Sequence, residues 1–121
     1  MAKFGFPDEQ WRSAVEEAKR VLSECAEAKS TISYSEPVSR IYSIHLEPHD
    51  TRLNHLLGEV STEEHEAGRG MLTVLVVYKD RDQTPGPGFF QLAEELGYDI
   101  SDREAFWMSE LNKVYAAWPA A

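Results

Sequence analysis

Four histidines, all between positions 45 and 65, are the residues in this sequence best suited to metal chemistry. They are His45, His49, His55 and His65, and Glu47, Asp50, Glu63 and Glu64 lie among them. Imidazole and carboxylate groups are common zinc ligands. The spacing contains no His-Glu-x-x-His pair, in which two histidines share one face of a helix. Surface histidines are therefore the preferred interpretation, with no metal or other cofactor. If a site exists, we expect His45, His49 and Asp50 to form it.

Nucleophiles and phosphate-binding loops have little support. The single cysteine, Cys25, lies on the apolar stripe of a predicted helix with no base beside it, so a small core residue is expected. The glycines of 68–70 and 85–88 are not followed by Gly-Lys-Ser/Thr, and no Gly-x-Gly-x-x-Gly occurs. No serine lies in a Gly-x-Ser-x-Gly turn. The sequence indicates no reaction, and we expect a protein that is not an enzyme.

Composition favours one folded domain over residues 1–121. The chain has 121 residues and is 42% hydrophobic, enough for a single core. One cysteine allows no intrachain disulfide, and no apolar run is long enough for a membrane span, so a cytoplasmic location is expected. With 12 basic and 21 acidic residues the net charge is −9, which disfavours a duplex-binding surface. An acidic face for a basic protein partner is the alternative to a merely solvated surface.

Apolar spacing and capping residues predict five or six helices. The first covers 8–28, with Asp8 able to cap it. The second begins at Ser35 and directs Val38, Ile41 and Ile44 inward. The third opens at Asp50 or Thr51 and weakens at Gly58, and a capping box at Ser61 and Glu64 starts another that stops at Gly68. The C-terminal helices fall within 89–118, one closed by Gly97 and one opened by a capping box at Ser101 and Glu104.

Residues 71–78 form a nearly continuous apolar run, which predicts a strand covered on both faces. Together with a short strand at Thr31-Ile32, this gives a mostly helical α+β fold with a small sheet. The element order is that of a winged helix-turn-helix, in which 71–78 and 87–90 form the wing hairpin. Pro85 and Pro87 make the return strand short or an edge.

The segment Thr-Ile-Ser-Tyr-Ser-Glu (31–36) resembles the Thr-x-x-Tyr-Gly-Glu opening of the winged-helix domain in O6-alkylguanine alkyltransferases and alkyltransferase-like proteins. The run from Gly68 through Phe90 is similar to that domain's strand, turn and Gly-Gly-Phe return. The resemblance covers 30–90 and implies a winged-helix-like core. Where the family has Pro-Cys-His-Arg, this chain has Val-Val-Tyr-Lys at 76–79, so alkyl transfer is excluded. The Pro-Gly-Pro-Gly-Phe-Phe block also looks like one in a bacterial protein family that carries no assigned function.

Three functions follow as hypotheses. The first is a protein-interaction or regulatory module that binds a protein partner or a second copy of itself, with an interface at Trp107, Tyr115 and Trp118. The alternative is a DNA-binding regulator, in which the nucleic-acid-binding residues are Arg52, Asn54, His55, Arg69, Lys79 and Arg81. A small metal-dependent hydrolase using the histidine region is the third.

Overall fold

The first long helix follows the apolar spacing of the N-terminal sequence. The computed structural model describes residues 2–3, 5–46, 51–78 and 85–119. Helix α1 spans Asp8–Glu27, where a helix over 8–28 was expected, and its apolar stripe from Trp11 to Ala26 is buried. Pro7 rather than Asp8 is the N-cap residue and makes no side-chain cap bond. Asp8 and Glu9 lie in the first turn, where the helix dipole favours carboxylates.

The remaining elements are short strands and four further helices. The strands are β1 (Ala2–Lys3), β2 (Phe6–Pro7), β3 (Ile32–Ser33) and β4 (Val76–Val77), and the helices are α2 (Ser35–Ser39), α3 (Thr51–Glu66), α4 (Pro87–Glu95) and α5 (Arg103–Ala117). Strands β1 and β2 pair antiparallel, whereas β3 and β4 pair parallel, Ile32 opposite Val76. The described part of the chain is therefore mostly helical with small two-stranded sheets, which confirms the α+β prediction.

The strand predicted over 71–78 is mostly wrong. Residues Leu72–Leu75 form a 3₁₀ helix, and only Val76–Val77 are strand. Every residue from Met71 to Val77 is nevertheless buried, so the apolar run is covered on all sides as expected. A short apolar run does not distinguish a buried strand from a buried helical turn, since periodicity carries no information there.

The wing hairpin predicted from 71–78 and 87–90 is also wrong in its return strand. Pro87 to Phe90 are the first turn of α4, with Gly86 as an extended N-cap residue. Proline suits the first helical position, because its fixed φ is helical and its missing N–H has no partner there in any case. Strand β4 pairs instead with β3, which lies much earlier in the sequence, before α2 and α3.

Helix α3 runs through the point where a break between two helices was predicted. Gly58 and Ser61 both lie within Thr51–Glu66, and Ser61 is buried instead of capping a new helix. The hydroxyl groups of Ser61 and Thr73 hydrogen bond to each other, and the Thr73 N–H donates to Ser61 Oγ at 3.1 Å. Ser61 therefore joins α3 to the 3₁₀ segment.

Helix α5 begins one residue later than its predicted cap implied, because Asp102 rather than Ser101 is the N-cap residue. The Asp102 carboxylate accepts from the Ala105 N–H at 3.0 Å. Helices α1, α3 and α5 all pack on the 3₁₀ segment, which lies at the centre of the core. In the described part of the chain, no helix combines the length and the apolar composition that crossing a bilayer requires.

Candidate functional site

Of the residues predicted to bind nucleic acid, the four that the structure describes lie at or near the two ends of α3. Arg52 is in the first turn of α3, with its guanidinium carbon 4.9 Å from the centroid of the Phe6 ring, and Asn54 and His55 are exposed beside it. Arg69 follows the other end of α3, which is about 21 Å away at 1.5 Å per residue. Its guanidinium is paired with Glu64, and this hydrogen bond raises the pKa of Arg69. Lys79 and Arg81 fall outside the described residues.

The predicted metal ligands are only partly described. His45 is exposed, while His49 and Asp50 lie outside the described residues. Within the described ranges, no three His, Cys, Asp or Glu side chains are grouped as a metal site requires. His65 is used differently: its Nδ1 lies 2.8 Å from the Tyr98 hydroxyl, which connects α3 to the turn before α5.

The three predicted interface residues lie along the edge of α5, each half-buried against the core. The Trp107 indole N–H donates to the carbonyl of Val74 at 3.2 Å, so this ring is tied to the 3₁₀ segment. The Trp118 ring lies under the Arg69 guanidinium, 5.5 Å away. The Tyr115 ring lies 5.5 Å from the Lys29 ammonium. These three aromatic side chains therefore lie at the boundary between the core and the surface, each in contact with a residue from another segment.

A stripe with coiled-coil spacing runs along this boundary. Its members follow one another at intervals of four, three, four and three residues: Glu104, Met108, Leu111, Tyr115 and Trp118. We call these five residues the α5 seam, because this spacing places side chains on one face of a helix. Met108 is 46% exposed, and with Tyr42 it is one of two large exposed hydrophobic residues in the described ranges. The sequence prediction missed Met108 because it considered only the aromatic residues, although the interval pattern was visible.

The two ends of the α5 seam carry opposite charges. Glu104, at the N-terminal end, is exposed and forms no ion pair within the described residues. At the other end, the Lys29 ammonium donates to the carbonyls of Tyr115 at 2.9 Å and Trp118 at 3.3 Å. It contacts no carboxylate in the part of the chain that the structure describes. Both charges also suit the helix dipole, acidic at the start and basic at the end.

A buried carboxylate fixes α5 from behind the seam. Glu110 is 1% exposed; its Oε2 accepts from the Met71 N–H at 2.7 Å and its Oε1 lies 3.1 Å from Lys113 Nζ. Burial alone would lower the pKa of Lys113, but hydrogen bonds to Glu110 and Tyr98 raise it. Burial raises the pKa of Tyr98. Gly70 packs directly on α5, where a Cβ would lie 3.1 Å from Val114 Cγ2.

A second feature, which the sequence did not predict, joins the two blocks of the winged-helix resemblance. Tyr34 follows β3 and Tyr78 follows β4, and their rings stack 4.6 Å apart. The Tyr34 hydroxyl accepts from the Gly86 N–H at 2.9 Å. A cavity of about 40 Å³ beside them is lined by Tyr34, Leu57, Gly58, Thr73, Val76, Gly88, Phe89 and Leu92. Since ligand pockets usually measure about 300–1,000 Å³, this space is too small for a cofactor.

No family model matches the chain, and neither a curated protein nor a solved structure matches it.

Proposed function

We propose that this protein is a non-enzymatic interaction module that binds a protein partner through the α5 seam. The observation that carries the proposal is Met108, exposed in the middle of a stripe that otherwise consists of half-buried or buried apolar side chains behind Glu104. Methionine and aromatic residues are enriched in interface cores. The flexible, polarisable Met108 side chain can adapt to a partner surface, while the aromatic rings beside it are held in place.

The rigidity of α5 supports this assignment. Trp107 is hydrogen bonded to the 3₁₀ segment, and Glu110 holds the backbone of Met71. A surface that is already ordered loses little conformational entropy when it binds, so more of the contact energy remains as affinity. Tyr42, the other large exposed hydrophobic residue among those described, lies on a loop whose backbone N–H groups at Tyr42 and Ser43 donate to Glu17. Tyr42 lies outside any helix, so it belongs to no regularly spaced helical stripe, and single exposed hydrophobic residues are ordinary.

The proposed regulatory role and the proposed winged-helix-like core rest on the sequence resemblance over 30–90. Two helices, α2 and α3, do lie within 30–90, whereas the helical 87–90 give no return strand. The cytoplasmic location rests on the lone Cys25. A DNA-binding role is not proposed, since Arg52 and Arg69 lie at opposite ends of α3 and Glu64 balances the charge of Arg69.

Site-specific photo-crosslinking in cells tests the proposal. Met108 is replaced by a photo-reactive phenylalanine analogue, and the matched control carries the same analogue at Asn54, an exposed position on α3. We expect a covalent protein adduct from position 108 and none from position 54. Absence of any adduct at 108, or the same adducts from both positions, would rule out the α5 seam as the binding surface.

A further inference from the structure

We propose that the occupant of the α5 seam is a second copy of this chain, with the two α5 helices packed antiparallel. This inference rests on the proposed function and names the partner of the same surface. Among the described residues, the unpaired charges at the two ends of the seam are Glu104 and Lys29. An antiparallel pair places Glu104 of each copy beside Lys29 of the other. A parallel pair would place like charges together, which disfavours it.

The distances along the helix agree with a two-fold arrangement. Glu104 and Tyr115, the residue beneath Lys29, are separated by eleven residues, or about 16 Å of helix. Their midpoint falls halfway between Met108 and Leu111, which are 46% and 9% exposed. A two-fold axis there places Glu104 of each copy opposite Tyr115 of the other, and Met108 of each copy opposite Leu111 of the other. Such an interface is self-complementary, as symmetric dimers require.

The expected dimer is weak and reversible. Helix α5 has 15 residues and is about 22 Å long, so one helix pair buries less area than a standard interface. Each copy also carries a net charge of −9, and this overall repulsion acts against association. Salt of about 150 mM screens charges beyond roughly 8 Å and leaves the close Glu104–Lys29 contacts less affected. We therefore expect a dissociation constant of roughly 10–1,000 μM at this salt concentration, and weaker association at low salt.

A charge-exchange experiment tests the pairing by sedimentation velocity over a concentration series. Glu104→Lys places two ammonium groups together, and Lys29→Glu places two carboxylates together. Each single substitution is expected to weaken dimerisation about tenfold. The double variant should recover part of this loss and dimerise more tightly than either single variant, although a carboxylate at position 29 cannot donate to the carbonyls of Tyr115 and Trp118 as the ammonium does. A double variant no better than the singles would overturn the antiparallel pairing. So would a parent chain that remains monomeric at about 1 mM, the upper limit of the expected range.

A separate variant distinguishes loss of the dimer interface from loss of folding. Lys29 has φ +56° and binds the end of α5, so Lys29→Glu also weakens that contact. Met108→Glu changes an exposed side chain only, and it is expected to abolish the dimer while leaving the thermal unfolding of the monomer within about 2 °C. A dimer that persists in Met108→Glu overturns the proposal.

The crosslinking experiment distinguishes pairing with a second copy of this chain from binding of a different protein. An adduct of twice the chain mass from position 108 supports self-pairing. An adduct with a different protein alone overturns self-pairing but leaves the interaction function in place, and no adduct removes both.

Discussion

Replacement of Glu110 tests most directly how α5 is held. Glu110→Ala removes the acceptor of the buried Met71 N–H and the carboxylate beside Lys113. An unsatisfied buried N–H costs about 1–3 kcal/mol. The lost ion pair adds about 0.5 kcal/mol, because Lys113 is 46% exposed and solvent screens the charge, and the cavity adds about 1 kcal/mol. We expect a total loss of about 3 kcal/mol in the free energy of unfolding.

Glu110→Gln provides the matched control. Its amide oxygen can still accept from Met71, and its shape is nearly unchanged, so about 1–1.5 kcal/mol should be lost. Both values are measured by urea unfolding, where the midpoint should shift without a change in slope. For 121 residues, a loss of 3 kcal/mol corresponds to a fall in Tm of about 10 °C. Equal losses for the two variants, or less than about 1 kcal/mol for Glu110→Ala, would refute the role assigned to the Met71 hydrogen bond.

Three further predictions concern other contacts of the fold. Gly70→Ala and Gly68→Ala both place a side chain at positive φ, but only at Gly70 does a Cβ meet α5. In chemical denaturation, Gly70→Ala should therefore lose about 1–2 kcal/mol more stability than Gly68→Ala. Equal losses would contradict the close packing of Gly70 on α5. Hydrogen bonding, chiefly from Arg12, lowers the pKa of Glu63 from 4.5 to about 2, so its stabilisation is full above pH 4.5 and is lost as the pH falls towards 2. Stability measured from pH 6 to 3 should fall less steeply in Glu63→Gln, by about 1 kcal/mol after allowing for exposure, and an unchanged slope would count against the pairing. Gly86 has an ordinary backbone conformation, but a Cβ added in Gly86→Ala would lie 2.9 Å from the Tyr78 ring. We expect about 1–3 kcal/mol of destabilisation, which the double variant Gly86→Ala/Tyr78→Ala should relieve. No relief in the double variant would show that the clash lies elsewhere.

The α5 seam shows what the spacing of apolar residues can and cannot predict about a helix. The spacing of Met108, Leu111 and Tyr115 is readable in the sequence, yet the same helix has a second apolar stripe that includes Phe106 and Val114. Both stripes satisfy helical periodicity, so the sequence does not decide which one faces the core. Packing of α5 on the 3₁₀ segment buries the second stripe and leaves Met108 exposed.

Local chemistry was sufficient for α1 and for the closure of α4 by Gly97, because capping, periodicity and positive φ act within a few residues. It also indicated that the apolar run 71–78 would be covered, and all of it but the half-buried Tyr78 is buried. Three outcomes depended on distant residues: Leu72–Leu75 became 3₁₀ rather than strand, Val76–Val77 paired with β3 rather than with 87–90, and Glu64 and Glu110 were buried. Each of these depends on which groups supply hydrogen bonds inside the core, as Ser61 does for Thr73 and Glu110 for Met71. Sequence alone determined which residues are apolar and where α1 and α5 form. Only the tertiary structure decided the hydrogen-bond partners of buried groups such as the Met71 and Thr73 N–H, because most buried polar groups need a partner that another part of the chain supplies.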